Sequence, residues 1–258
     1  VNAAERWRRD LESWAIPEEI LAQAPESPWI HPPVLFDVPE VIEENPSHQR
    51  AREALVDGGS VLDVGCGGGV AAFALTPPAA LVVGVDHQAA MLEMFTANAR
   101  RRGVQSQTHL GFWPAVAPST PTCDVAVAHH VVYNVGDIVP FLREMDLHAR
   151  RRVVLEMPRH HPLASLSPAW QHFWGLSRPT APEPHDLVEV LAEMGITAQR
   201  EDFEGSMRTE LDLASAAHFD RIRLCLPAAR EDEVLDFLHE HPPTRVRALS
   251  VVWWDVAR

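Results

Sequence analysis

The sequence predicts an α/β fold: a doubly wound, seven-stranded, mostly parallel sheet with a small helical cap. Three observations point there. From Ser60 onward, short β-branched runs alternate with helical patterns, the signature of a parallel sheet covered on both faces. The first of those runs ends in a glycine-rich turn, Gly65 to Gly69, that opens a helix. The chain has 258 residues, 46% of them hydrophobic, which suits one domain with a sizeable core.

The elements follow in order. Trp7, Leu11, Trp14 and Ala15 recur at helical spacing within residues 1–25, and Pro17 opens a second short helix. A Pro-rich stretch from Pro25 to Pro39 carries Trp29, His31 and Phe36. A polar helix over 47–56 then leads into the turn Asp57-Gly58-Gly59. Strands are expected at Ser60–Val64, Leu81–Val85, Thr108–Leu110, Asp124–Ala128 and Val153–Glu156. Helices are expected from Val70, over Ala89–Arg102 with a stop at Gly103, and over Ile138–His148. His160–Pro184 reads as a long ordered loop with a short helix, and Asp186–Met194 as a helix stopped by Gly195. Ile196–Phe203 is a sixth strand; helices over Asp212–Cys225 and Glu231–Glu240 precede a last one, Val246–Val256. The single domain 1–258 thus divides into a cap segment, 1–46, a ligand-binding core, 47–158, and a remainder, 159–258, holding the cap loop, inserted helices and closing strands.

Composition removes several functions. All 22 basic residues are arginine, so there is no lysine for a pyridoxal-phosphate Schiff base, a P-loop or a kinase phosphate site. Without lysine a Tyr-x-x-x-Lys oxidoreductase dyad is also impossible, and Tyr133 is the one tyrosine. A formal charge of −14 disfavours nucleic acid as a partner. The triplets Arg100–Arg102 and Arg150–Arg152 each follow a helical pattern, where cations suit the dipole's C-terminal end. Cys66, Cys123 and Cys225 lie far apart, which fits a reducing compartment and gives no thiolate metal site. No apolar run reaches the roughly 20 residues that span a bilayer, and residues 5–10 lack a signal peptide's apolar stretch. The expectation is a cytoplasmic protein with no membrane contact.

The strongest motif is Val61-Leu62-Asp63-Val64-Gly65-Cys66-Gly67-Gly68-Gly69. Glycines there let the backbone approach a ligand closely. A nicotinamide-binding turn is the competing reading, but its third glycine position holds Val70 and Asp63 is atypical of it. An acid beside the loop suits a ligand that carries positive charge. Asp86 ends the second strand, where a carboxylate can accept both hydroxyl hydrogens of a ribose.

Together VLDVGCGGG at 61–69, VVGVDHQAAML at 82–92 and CDVAVAHHVVYNV at 123–135 resemble the class I S-adenosylmethionine-dependent methyltransferases, of the small-molecule type. The resemblance implies their Rossmann-like fold with an antiparallel last strand, S-adenosylmethionine as cofactor, and a small-molecule methyl acceptor. It implies that Gly65, Cys66 and Gly67 line the methionine part, Asp63 steers its ammonium, Asp86 holds the ribose, and His87 and Met91 flank the adenine. The adenine pocket's last segment is Gly111-Phe112-Trp113-Pro114; it lacks the family's acid, so Phe112 or Trp113 is expected to stack instead.

Chemistry at the acceptor falls to the ends of strands four and five. His129 and His130 are expected there, one of them facing the methyl group because successive strand residues alternate. His130 is the candidate base and His129 a cofactor contact or second base. Tyr133 either orients the acceptor or anchors the next helix. Glu156 ends strand five on the same edge, with His160 and His161 after it. No metal is expected, since His129, His130, His160 and His161 show no HxH or HExxH spacing. Aromatic residues of the cap, Trp7, Trp14, Trp29, Trp170, Phe173 and Trp174, either close over the acceptor or form a satellite core. Two other functions stay open: a binder of S-adenosylmethionine without catalysis, and a nicotinamide oxidoreductase.

Overall fold

A computed structural model of the chain describes residues 1–29, 36, 38–206, 211–242 and 246–257. Its centre is a run of valine-rich segments with nowhere to go but inward. β1 (Ser60–Val64) is buried along its whole length, and β2 (Leu81–Asp86) and β4 (Cys123–His129) nearly so. Strands buried on both faces need helices on both sides. β3 (Gln105–Leu110), β5 (Ala149–Pro158), β6 (Gln199–Ser206) and β7 (Val246–Asp255) complete one sheet in the order β3-β2-β1-β4-β5-β7-β6. β1 through β5 run parallel, and β7 is antiparallel to both β5 and β6. The expected seven-stranded, mostly parallel architecture is what forms.

Ten helices flank the sheet among the described residues. In chain order they are α1 (Ala3–Glu12), α2 (Glu18–Leu21), α3 (Pro46–Arg52), α4 (Val70–Phe73), α5 (Ala89–Arg102), α6 (Ile138–His148), α7 (Ser167–Trp174), α8 (Pro184–Glu193), α9 (Leu213–Arg223) and α10 (Glu231–Glu240). None is long and apolar enough to cross a membrane. One core layer packs Trp7, Phe141, Met145, Leu187 and Trp254 on one face of the sheet; the other packs Phe73, Phe95, Leu75 and Trp253. A third cluster, with Ile16, Ile20, Trp170, Leu224 and Phe237, forms a separate helical layer drawn from both ends of the chain. Trp7, Trp14 and Trp170 are all buried: Trp7 joins the sheet core, Trp170 the separate helical layer, and Trp14 stacks on His161. Trp29 is 59% exposed, and His31 lies outside the described residues.

Element boundaries differ from expectation where polarity hides the pattern. β3 is an edge strand of polar residues and runs three residues longer at its start, because main-chain pairing with β2 continues where no apolar alternation marks it. β6 begins at Gln199 rather than Ile196. α3 stops at Arg52, four residues short.

The glycine turn has a packing reason as well as a binding one. Gly69 caps α4 at φ 97°, and a Cβ there would lie 2.3 Å from Phe73 and 2.7 Å from Phe95. Gly69→Ala should therefore destabilise the fold by about 2–5 kcal/mol, the sum of left-handed backbone cost and overpacking. Urea unfolding measures this; a loss under about 0.5 kcal/mol, typical of a neutral surface change, would contradict the packing.

Candidate active site

Parallel strands bring the carboxyl ends of β1, β2, β4 and β5 to one edge of the sheet, the edge where open α/β sheets bind ligands. Gly65 and Cys66 donate their amides to the Val85 carbonyl at 2.8 and 3.0 Å, which ties the turn after β1 to the end of β2. Gly67 donates to Asp86 Oδ2 at 3.0 Å and Gln88 to Asp86 Oδ1 at 2.9 Å, so this carboxylate holds the turn open from beneath. Asn98, buried on α5, donates to the Gly68 carbonyl at 2.8 Å. Val131 closes the far side: a Cβ on Gly65 would meet its Cγ2 at 2.5 Å. On Gly67 a Cβ would touch the Phe36 ring at 3.4 Å.

Asp63 is wholly enclosed under this turn. Among the described residues its one hydrogen bond is from the Ala72 amide to Oδ2 at 3.2 Å. Burial pushes its carboxyl up to about 7, the Ala72 amide opposes this, and the neighbouring Asp86 charge pushes it further up. No cation among the described residues offsets it. The Cys66 thiol packs against Gly84, and burial with the two nearby aspartates drives its pKa far upward. Cys66 thus contributes main chain to the turn, not a nucleophile.

At the far end of the turn, the rings of His87 and Phe112 stack with centroids 4.8 Å apart and planes at 18°. Phe112 is 70% exposed. Met91 is half-buried on the first turn of α5. Trp113 turns the other way: its Nε1 donates to the Phe141 carbonyl at 3.2 Å and its ring meets His148 edge-on. The structure therefore places Phe112 beside His87, and Trp113 against α6.

The strand-end histidines depart from simple alternation. β4 ends at His129, and His130 adopts φ 62°, a left-handed conformation uncommon outside glycine. The backbone reverses there, and both imidazoles come to the same carboxylate. His130 Nε2 lies 3.0 Å from Glu156 Oε1, and His129 Nδ1 3.9 Å from Oε2. His48 of α3 stacks on His129 at 5.7 Å, and Asn45 Nδ2 donates to Glu156 Oε2 at 2.9 Å. Burial pushes Glu156 up, but His129, His130 and Ser47 outweigh it and hold the carboxyl well below its usual range. Burial lowers the His48 pKa, with Glu156 and the Glu43 backbone opposing.

Tyr133 sits on the short turn after His130 with its hydroxyl donating to the Pro158 carbonyl at 3.0 Å and its ring stacked on Trp7. Burial, with Glu183 and Asp186, raises its pKa. Of its two expected roles, this geometry serves anchoring. His161 is spent on Trp14, ring to ring at 4.1 Å, and His160 pairs with Glu183 at 3.0 Å. Asn45, Ser47, His48 and Asn98 are site residues that sequence reasoning missed. An N-cap asparagine before Pro46 was a signal for the helix, but nothing in its spacing names Glu156.

The sheet order and the strand-edge turn are similar to those of methyltransferase domains. Residues 61–151 match the family described as methyltransferase domain. The ribosomal protein L11 methyltransferase of Thermus thermophilus is 32% identical over 152 residues, covering 54% of this chain and 58% of that protein. The ubiquinone biosynthesis O-methyltransferase of Azorhizobium caulinodans is 31% identical over 114 residues, covering 44% of this chain and 45% of that one. The chain spans about half the length of the curated relatives it matches. The solved YcgJ protein from Bacillus subtilis superposes with a TM-score of 0.54 at 17% identity, covering 82% of this chain and 98% of that one, which concerns the fold alone.

Asp63 gives a pH-dependent test. Its folded carboxyl titrates near 7 against 3.8 for the ordinary group. Between those values the folded chain holds a proton that the unfolded chain lacks. This site's contribution is therefore most favourable at low pH and is lost as pH rises through about 7. Asp63→Asn, which keeps an acceptor for the Ala72 amide, should stabilise the chain relative to wild type by up to about 4 kcal/mol at about pH 8 and by less than half of that at about pH 5, read as the shift in unfolding midpoint. An equal effect at both pH values would mean the carboxylate's charge is already balanced.

Proposed function

We propose that the chain binds S-adenosylmethionine along the Gly65–Gly69 turn and transfers its methyl group to a small-molecule acceptor, leaving S-adenosylhomocysteine. One observation carries this reading: Asp63 is a buried carboxyl under the glycine turn with no cation among the described residues to balance it. Such a group is costly unless a positive charge arrives with the ligand. An amino-acid ammonium fits, and a nicotinamide dinucleotide's pyrophosphate does not.

The remaining contacts follow from the same edge. Asp86 supplies carboxylate lone pairs for ribose hydroxyls while it holds Gly67. His87 and Phe112 offer aromatic faces to an adenine, with Met91 beside them. Trp113 and the side chain of Cys66 support this site from behind. When bound, S-adenosylmethionine supplies a methyl carbon already activated by its sulfonium. What the chain adds is alignment and exclusion of water.

On the acceptor side, His130 acts as the base for a proton-bearing acceptor, with Glu156 stabilising the imidazolium. His130 Nδ1 is enclosed in the ligand-free chain, so the acceptor must displace what covers it. His129 borders both the cofactor end and Glu156. Glu156 is 4% exposed, which supports an acceptor small enough to reach beneath α3.

Calorimetry with S-adenosylmethionine and S-adenosylhomocysteine tests the binding. Asp86→Ala should cut affinity by roughly ten- to a hundredfold, because hydrogen bonds to a charged group are worth about 1.5–3 kcal/mol. Unchanged affinity in a folded variant would remove the ribose assignment. Once an acceptor is in hand, His130→Ala should lower turnover by about a hundredfold or more with cofactor affinity little changed. A parallel fall of both would make His130 a cofactor contact, and wild-type binding without turnover on any acceptor would favour a binder without catalysis.

A further inference from the structure

Asn45 uses one side chain for two contacts. Its Oδ1 accepts the His48 amide at 2.9 Å, which caps α3, and its Nδ2 donates to Glu156 Oε2 at 2.9 Å. Capping does not need the second contact. Serine and aspartate cap as well as asparagine does, and neither carries an NH2 group. At the other carboxylate oxygen stands His130 Nε2, 3.0 Å from Oε1. An ionised carboxylate only accepts hydrogen bonds, so the proton in that contact belongs to Nε2. His130 Nδ1 is enclosed without a partner, and a proton there would be a buried unsatisfied donor. Nδ1 is thus the lone-pair nitrogen.

We propose that Asn45 and Glu156 are positioning residues: Asn45 fixes the Glu156 carboxylate, and Glu156 fixes His130 with Nε2 protonated and Nδ1 basic. The assignment rests on the reading of His130 as the acceptor-side base. With a donor on each oxygen, the plane of the carboxylate is set from two sides. Without the Asn45 NH2, Oε2 keeps His129 Nδ1 at 3.9 Å, beyond hydrogen-bond length, with the Ser47 hydroxyl nearby. The carboxylate is then free to turn, and His130 loses its fixed partner. α3 therefore joins the segment before the core to the chemistry at β4 and β5.

The experiment uses the full chain, labelled with 15N-histidine and free of ligand, observed by proton–nitrogen correlation NMR. Wild type should show a downfield, exchange-protected imidazole N–H, assigned to His130 Nε2 by its disappearance in His130→Ala. Asn45→Ser keeps a cap and removes the NH2; it should speed exchange of that proton by about tenfold or more, the equivalent of one hydrogen bond. Asn45→Asp keeps the best cap and sets a like charge against Glu156, and should abolish the signal. Glu156→Gln should shift it upfield. Backbone signals of α3 and the melting midpoint show whether the cap survives. An unchanged His130 proton in both Asn45 variants, with α3 intact, would overturn the proposal, as would a wild type protonated on Nδ1. Calorimetry with S-adenosylmethionine on the same samples separates the two readings. A wild type with the protected proton but no cofactor affinity supports the positioning network and overturns the methyl-transfer reading.

Discussion

Parallel pairing of β1 with β2 and β4 is the constraint on which the rest of the molecule depends. In that register Val64 lies opposite Val85, and Asp63 opposite both Gly84 and Val127. All three strands therefore finish at one level, and whatever their last residues carry is gathered along one edge. The strands are buried on both faces, so a one-residue slip would drive Asp63 or its neighbours to the wrong side of a packed core. Gly84 shows how tightly this is drawn: a Cβ there would come within 2.9 Å of Cys66 Sγ. The turn, Asp86 and the His130–Glu156 pair are placed by the sheet before any side chain interacts.

Two buried carboxyls on that edge show how surroundings divide the work. Desolvation pushes both Asp63 and Glu156 upward. Glu156 has His130 and Asn45 on its two oxygens, with His129 and Ser47 close by, and ends far below the ordinary range. Among the described residues Asp63 has one backbone amide and a like-charged neighbour, and it ends near 7. The first is a completed unit that orients its histidines. The second has no offsetting cation among the described residues, and its burial is a cost to the fold.

Much of this was legible in the sequence because it is local. Val61–Val64, Leu81–Val85 and Asp124–Ala128 are runs of β-branched and small apolar residues that fit nothing but buried strands. Gly65, Gly67 and Gly69 all take positive φ, so their spacing encodes the turn directly. Partnerships across the fold were not legible. Glu156 meets Asn45 across 111 residues, and Tyr133 meets Pro158 through a hydroxyl whose direction depends on packing beneath Trp7. Trp113 and Phe112 are adjacent and chemically alike, yet one packs inward on α6 and the other stands 70% exposed beside His87. Sequence gives their proximity and not their facing.

His130 shows where a sound local rule gives way. Alternation along a strand would turn one of two adjacent histidines toward the ligand and the other toward the opposite face. The strand stops one residue too early for that. At φ 62° the backbone of His130 reverses, and its amide donates to the Glu156 carbonyl at 2.8 Å while its ring reaches the same residue's carboxylate. Glycine would occupy that conformation at less cost, but it has no imidazole. The strain is held by contacts on both sides: Val131 packs against Gly65, and Tyr133 is fixed between Trp7 and Pro158. A non-glycine residue kept in a sparsely populated conformation by over-determined surroundings is a recognised feature of functional sites. Here the feature converts two histidines that would face apart into a pair sharing one carboxylate, at the strand edge that also carries the glycine turn.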